Sequence, residues 1–147
     1  MKNIPVIRIV KEKSVRYKTA AITGPEVAAG LVNKYIAENC SDDRENFIAI
    51  CLNTKNRVLA IHLVSTGTLN SSPVTAREVF KAAILANSAS ILLAHNHPSG
   101  DATPSREDID ITKRIGEAGD LLGISVLDHI VLGDNGKHTS LQVSGAV

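Results

Sequence analysis

The stretch that most restricts what this chain can become is ASILLAH, residues 89–95. A continuous apolar run of this length, with Asn-Ser before it and Asn-His-Pro after it, is a strand at the centre of a sheet rather than at its edge. The run ends in His95-Asn96-His97-Pro98. In an extended strand residues i and i+2 face the same side, so His95 and His97 project their imidazoles together. That is the simplest way for a chain to bring two nitrogen ligands to one zinc ion, each at about 2.0–2.1 Å.

The neighbouring patterns say what surrounds that strand. Residues 4–10 (IPVIRIV) read as an edge or entry strand. In T-G-P-E, Thr23 or Gly24 can cap a helix, Pro25 suits its first turn, and Glu26 favours its N-terminal dipole. The helix continues through AAGLVNKYIAENC. Residues 46–52 and 58–64 are β-rich runs joined by NTKNR, which predicts a hairpin. A polar loop, STGTLNSSPV, leads to Thr75, which caps a second helix with Glu78 completing a capping box. A third helix is expected from Ser105 to about Leu122, and two strands around an Asn135-Gly136 turn close the chain. Hairpins mixed with alternating helices imply an α/β protein of the α+β type, a mixed sheet flanked by helices. At 147 residues the chain is expected to be one domain.

Composition excludes several functions. With 16 basic and 15 acidic residues the net charge is +1, so the basic stripe of a dedicated nucleic-acid binder is not expected. The absence of Trp, with two Tyr and two Phe, argues against base-stacking platforms. Cys40 and Cys51 lack metal-type spacing and read as free thiols in a reducing compartment. No signal-like or membrane-spanning apolar segment is apparent, so a cytoplasmic protein without membrane partners is expected.

Ser105 lies eight residues past His97 and Asp108 eleven past it. With Ser105 at the helix N-cap, Asp108 falls in the first turn, and that turn can return to the end of the strand. Two histidines and one carboxylate leave a fourth position for water, the pattern of a catalytic zinc rather than a structural one. The same residues also fit a plain reading, in which Ser105 caps, Asp108 satisfies the dipole and the histidines are hydrogen-bonded at a strand end. No HExxH motif and no H-x-E with P-C-x-x-C is present.

His95-Asn96-His97-Pro98, six residues, Ser105, two residues and Asp108 resemble the motif of the JAMM (MPN+) metalloproteases. The chain is most similar to the RadC-type JAB domain of that family, through DRENF, LNTKNRVL, GTLNSSPV, REVFKAAI, LAHNHPSGD and LDHIVLG, over roughly residues 42–133. Ala76 stands where that family usually has Pro before REVF. The resemblance implies a curved mixed sheet of JAB/MPN, cytidine-deaminase-like architecture, with a family-like core over about residues 20–140. The helix-hairpin-helix module that often opens such proteins is expected to be absent.

It further implies a zinc-dependent peptidase or isopeptidase holding one zinc per chain through His95, His97 and Asp108, with peptides or protein conjugates as substrates. Ser105 is implied as donor to the oxyanion. The family's upstream acid corresponds to Glu45, a carboxylate suited to moving a proton from water to the leaving amine. The alternative from another class is a DNA-associated accessory protein with a structural or vestigial metal site. Two further expectations concern other histidines: His62 as a partner-satisfied sheet residue, and His129 oriented by Asp128 behind the metal.

Overall fold

The computed structural model describes residues 1–8, 10–14, 16–17, 21–67 and 74–147. Among these, the elements run α1 (Pro25–Asn39), β1 (Glu45–Leu52), β2 (Val58–Gly67), α2 (Ala76–Leu85), β3 (Ser90–Asn96), α3 (Arg106–Leu122), β4 (Ser125–Leu132) and β5 (His138–Ser140). They build a mixed sheet in the order β2-β1-β3-β4-β5. β1 pairs antiparallel with both β2 and β3, β3 and β4 run parallel with α3 as their crossover, and β5 returns antiparallel to β4. The fold is α/β, and ASILLAH forms its central strand.

Strand alternation sorts the core into two layers. Ile48, Ile50 and Leu52 of β1, Leu92 and Ala94 of β3, and Ile130 and Leu132 of β4 pack under α1 with Ala28, Leu31, Val32 and Ile36. The intervening residues, Phe47, Ala49 and Cys51 with Ile91 and Leu93, pack under Val79, Phe80 and Ala83 of α2 and Ile115 of α3. Each fully buried Ile, Leu or Phe contributes about 1.5–3 kcal/mol. By the same parity His95 of β3 and His129 of β4 face α3, and the site grows on that side.

Local chemistry sets the boundaries. Asn53 accepts from the backbone N–H groups of Lys55 (2.9 Å) and Arg57 (3.0 Å), and Asn56 takes the left-handed φ of 56° that closes the β1–β2 hairpin. Gly24, not Thr23, occupies the N-cap of α1, without a side-chain cap bond. Thr75 caps α2 by accepting from Glu78 N, while the Glu78 carboxylate pairs with Lys81 at 3.1 Å rather than turning back to the cap. No helix among the described residues is long and apolar enough to cross a membrane.

Two expectations are corrected. Residues 4–8 and 10 form no strand, and Ile4, Val6, Ile7 and Val10 stand exposed, residue 9 lying outside the described residues. Apolar alternation says that a segment can bury a face, not that a sheet edge is free to receive it, and Pro5 lacks an N–H to donate. In the expected loop 65–74, residues 65–67 extend β2 instead, and 68–73 lie outside the described residues.

Gly119 tests how closely α3 sits on the sheet. A Cβ there would run into the carbonyl oxygen of Ile124 and come within 3.1 Å of Phe80. Gly119→Ala is therefore expected to destabilise the fold by about 1–3 kcal/mol, although alanine is the better helix former. A urea midpoint equal to that of the wild type would refute the close packing.

Candidate metal centre

Glu45, His95, His97 and Asp108 come together with one donor atom each within 4.8 Å of all the others. They arrive on three elements. His95 is 1% exposed near the end of β3, where it stacks on Phe47 with the ring planes 14° apart. His97 follows just past the strand, and its N–H continues the sheet by donating to Leu132 O at 2.9 Å. The loop then turns at Gly100, whose φ of 85° favours glycine and whose missing side chain leaves space for Asp134.

The start of α3 delivers the carboxylate. Ser105 Oγ accepts from Asp108 N at 3.1 Å, and Asp108 Oδ2 accepts from Ser105 N at 2.8 Å, a reciprocal capping box. The two bonds hold the Asp108 side chain so that Oδ1 lies 3.1 Å from His95 Nε2 and Oδ2 lies 3.1 Å from His97 Nε2. The two Nε2 atoms are 3.0 Å apart. Glu45, first residue of β1, stands slightly further off, its Oε1 3.4 Å from His95 Nε2.

Electrostatics follow from this packing. Burial alone would raise the Asp108 pKa, but the facing imidazoles of His95 and His97 outweigh it and hold the carboxyl far below the usual range. The hydrogen bond with Asp108 raises His97 against the effect of its own burial. Burial pushes Glu45 up, an effect His95 only partly offsets.

The donor set fits a divalent cation. His97 Nδ1 lies 2.7 Å from Asp101 O, and a carbonyl only accepts, so the ring proton of a neutral His97 is on Nδ1 and Nε2 is bare. A bare nitrogen and an ionised carboxylate then converge on one point together with His95 and Glu45. That concentration of lone pairs is neutralised by protons or by a metal, and imidazole with carboxylate suits zinc.

Sequence reading missed the clamp that places Glu45. Asn96, between the two histidines, accepts the backbone N–H of Asn46 through Oδ1 at 2.8 Å, and its amide donates to Arg44 O at 2.8 Å. Asn46 in turn donates to Ser41 O at 2.9 Å and accepts from Thr66 Oγ1 at 3.1 Å. The residues on both sides of Glu45 are thus tied to the strand carrying His95. The available signal was an amide side chain between two histidines at the end of an apolar strand. Asn96→Ala strands buried polar groups and is expected to cost about 1–3 kcal/mol, with faster hydrogen exchange at Asn46 N–H. Unchanged exchange there would disprove the clamp.

Two histidine expectations need correction. The Asp128 carboxylate does not orient the His129 ring; it accepts the backbone N–H of His129 (2.7 Å), the hydroxyl of Ser140 and the N–H of Gln142. Consecutive strand residues face opposite sides, so an acid at i−1 cannot easily reach the ring. The ring instead lies with Nε2 2.7 Å from His95 Nδ1 and Nδ1 2.5 Å from Thr112 Oγ1. It is wholly buried, which lowers its pKa well below the ordinary imidazole value. His62 Nε2, expected to be satisfied, is buried without a hydrogen-bond partner among the described residues.

Comparison with known proteins agrees with this architecture. A family model described as the RadC-like JAB domain matches residues 22–146. A UPF0758 protein of Desulforamulus reducens is 57% identical over 123 residues, covering 84% of this chain and 52% of the relative. Another, from Desulforudis audaxviator, is 58% identical over 121 residues, 82% of this chain and 51% of the relative. A third, from Moorella thermoacetica, is 49% identical over 142 residues, 88% of this chain and 62% of the relative. The chain therefore spans about half the length of the first two relatives and somewhat more of the third.

Proposed function

The chain belongs to the RadC-like JAB domain family, and on that footing we propose that it is a zinc-dependent hydrolase of peptide or isopeptide bonds. The observation that carries this reading is the convergence of His95 Nε2 and His97 Nε2, 3.0 Å apart, each 3.1 Å from one Asp108 oxygen, with the partly buried carboxylate of Glu45 3.4 Å from His95 Nε2. We assign His95, His97 and Asp108 as the ligands. Three ligands leave a coordination position for solvent or substrate. A zinc ion held by these residues would supply Lewis acidity, able to polarise a carbonyl and to acidify water at neutral pH.

The chain's own groups carry the rest. Glu45 takes a proton from the attacking water as its oxygen bonds to the substrate carbonyl carbon. It delivers that proton to the nitrogen as the C–N bond breaks, so the amine leaves neutral. Its raised pKa supports the first half of this shuttle, since a more basic carboxylate takes a proton from water more readily. Ser105 uses its oxygen to accept Asp108 N–H, which leaves its hydroxyl hydrogen free to donate to the developing oxyanion. Substrates would be peptides or protein conjugates. A cytoplasmic setting is supported by two cysteines, both free thiols.

The test is elemental analysis of the purified, dialysed protein, joined to a cleavage screen over peptides and ubiquitin-like conjugates, with Glu45→Gln as control. One zinc per chain and cleavage absent from the control are expected. A protein that keeps no divalent metal after loading and dialysis would end this reading.

A further inference from the structure

We infer that Thr112 and His129 are positioning residues that lock the His95 ring in the Nδ1–H tautomer and so present a bare Nε2 to the cation. The inference rests on the metal reading given above and goes beyond it by naming what orients one ligand.

The argument is a count of protons across three short contacts. Thr112 lies one turn after Asp108 on the inner face of α3, and its Oγ1 is 2.6 Å from the main-chain oxygen of Asp108. Two oxygens that close need a hydrogen between them, and a carbonyl has none to give. The hydroxyl proton of Thr112 is therefore committed to Asp108 O. Thr112 Oγ1 is also 2.5 Å from His129 Nδ1, and that contact too needs a hydrogen. The only remaining source is the ring, so His129 carries its proton on Nδ1.

His129 is 0% exposed, and no carboxylate hydrogen-bonds to its ring among the described residues. A buried imidazole with no anionic partner stays neutral, and its Nε2 is then a lone pair. That lone pair faces His95 Nδ1 at 2.7 Å, so His95 must be the donor in the contact. The proton of a neutral His95 is on Nδ1, and its Nε2 is left bare, 3.1 Å from Asp108 Oδ1 and 3.0 Å from His97 Nε2. Running the chain backwards would put a proton on His95 Nε2, in the ligand position. It would also leave Thr112 Oγ1 and Asp108 O at 2.6 Å with nothing between them.

The chain returns to where it began. Asp108 offers its carboxylate to the site and its main-chain carbonyl to the far end of the proton chain, so the first turn of α3 sets both a ligand and the tautomer of a second ligand. His97 receives the same service from a single loop carbonyl, Asp101 O. Metal-bound histidines commonly donate to a carboxylate, which raises their basicity. Here the partner of His95 is a neutral imidazole, so no second negative charge is brought behind the ligand.

Thr112→Val tests this, because valine keeps the branched shape and removes only the hydroxyl. In the metal-free wild type, long-range proton–nitrogen NMR correlations recorded above the imidazole titration range are expected to place the ring protons of His95 and His129 on Nδ1. In the valine variant both are expected to move to Nε2. Zinc affinity, measured by competition with a chromophoric chelator, is expected to fall by about 10–100-fold, the size found for outer-shell partners. Thr112→Ser, which restores a hydroxyl, is expected to recover both the tautomers and the affinity. A wild-type His95 protonated on Nε2 overturns the inference whether or not any variant folds, and so does wild-type affinity in a folded valine variant. A wild type with Nδ1–H tautomers but no zinc binding would instead sink the metal reading and leave the proton chain standing.

Discussion

Asp108→Ala is expected to remove zinc from the protein and to weaken the metal-free fold in the same step. Asp108 faces both imidazoles at 3.1 Å and also takes Ser105 N–H at 2.8 Å in the capping box. Losing that half of the capping box costs about 0.5–1.5 kcal/mol. Losing the only assigned anionic ligand should weaken zinc by more than the roughly 10–100-fold attached to outer-shell partners. Asp108→Asn separates the two effects, because an amide oxygen still accepts Ser105 N–H while the charge is gone. Elemental analysis after dialysis should find no zinc in either variant, and urea denaturation should find most of the stability retained in the asparagine protein alone. Zinc held by the asparagine variant as tightly as by the wild type would be incompatible with Asp108 as a ligand. The pH dependence has a definite sign. The folded carboxyl titrates below its unfolded value of about 3.9, so its contribution is full above that pH and is lost as the pH falls toward the folded value.

Glu45→Gln should leave zinc in place and reduce hydrolysis by about 10²–10⁴-fold, the usual worth of a positioned acid–base group. The change is nearly isosteric, and the Asn46–Asn96 clamp on either side of it is made by other residues. What disappears is the ability to take a proton from water and return it to the amine. The loss is expected in kcat, with KM little altered, because the shuttle acts in the transition state. Zinc lost together with activity would show that the 3.4 Å separation from His95 closes on binding and that Glu45 is itself a ligand.

Much of this was readable in advance because periodicity and cap chemistry are local. The alternation in β1 and β3 separates the α1 layer from the α3 layer, and the spacing from His97 to Ser105 and Asp108 brings the α3 cap onto the strand end. What stayed hidden depends on which distant element lies opposite. Asp128 beside His129 suggested a pair, but strand geometry sends the two side chains to different faces and gives the ring to Thr112. Thr112 carried a faint signal as the residue one turn beyond Asp108, on the face that must be buried. The exposed IPVIR segment shows the opposite failure, a strand-like pattern that joins no strand among the described residues.

The parallel pairing of β3 and β4 has a consequence for how the molecule reaches its final state. Parallel neighbours cannot pair through a tight turn; the entire α3 crossover must be laid down first. The partners at the centre are far apart along the chain, His95 and His129 by 34 residues and Asn46 and Asn96 by 50. Closing such long loops is entropically unfavourable until the joined surfaces repay it, so these contacts are expected to mature late in folding. The geometry of the candidate metal centre is therefore a property of the finished chain, and a cation captured there would mark the end of folding rather than guide its beginning.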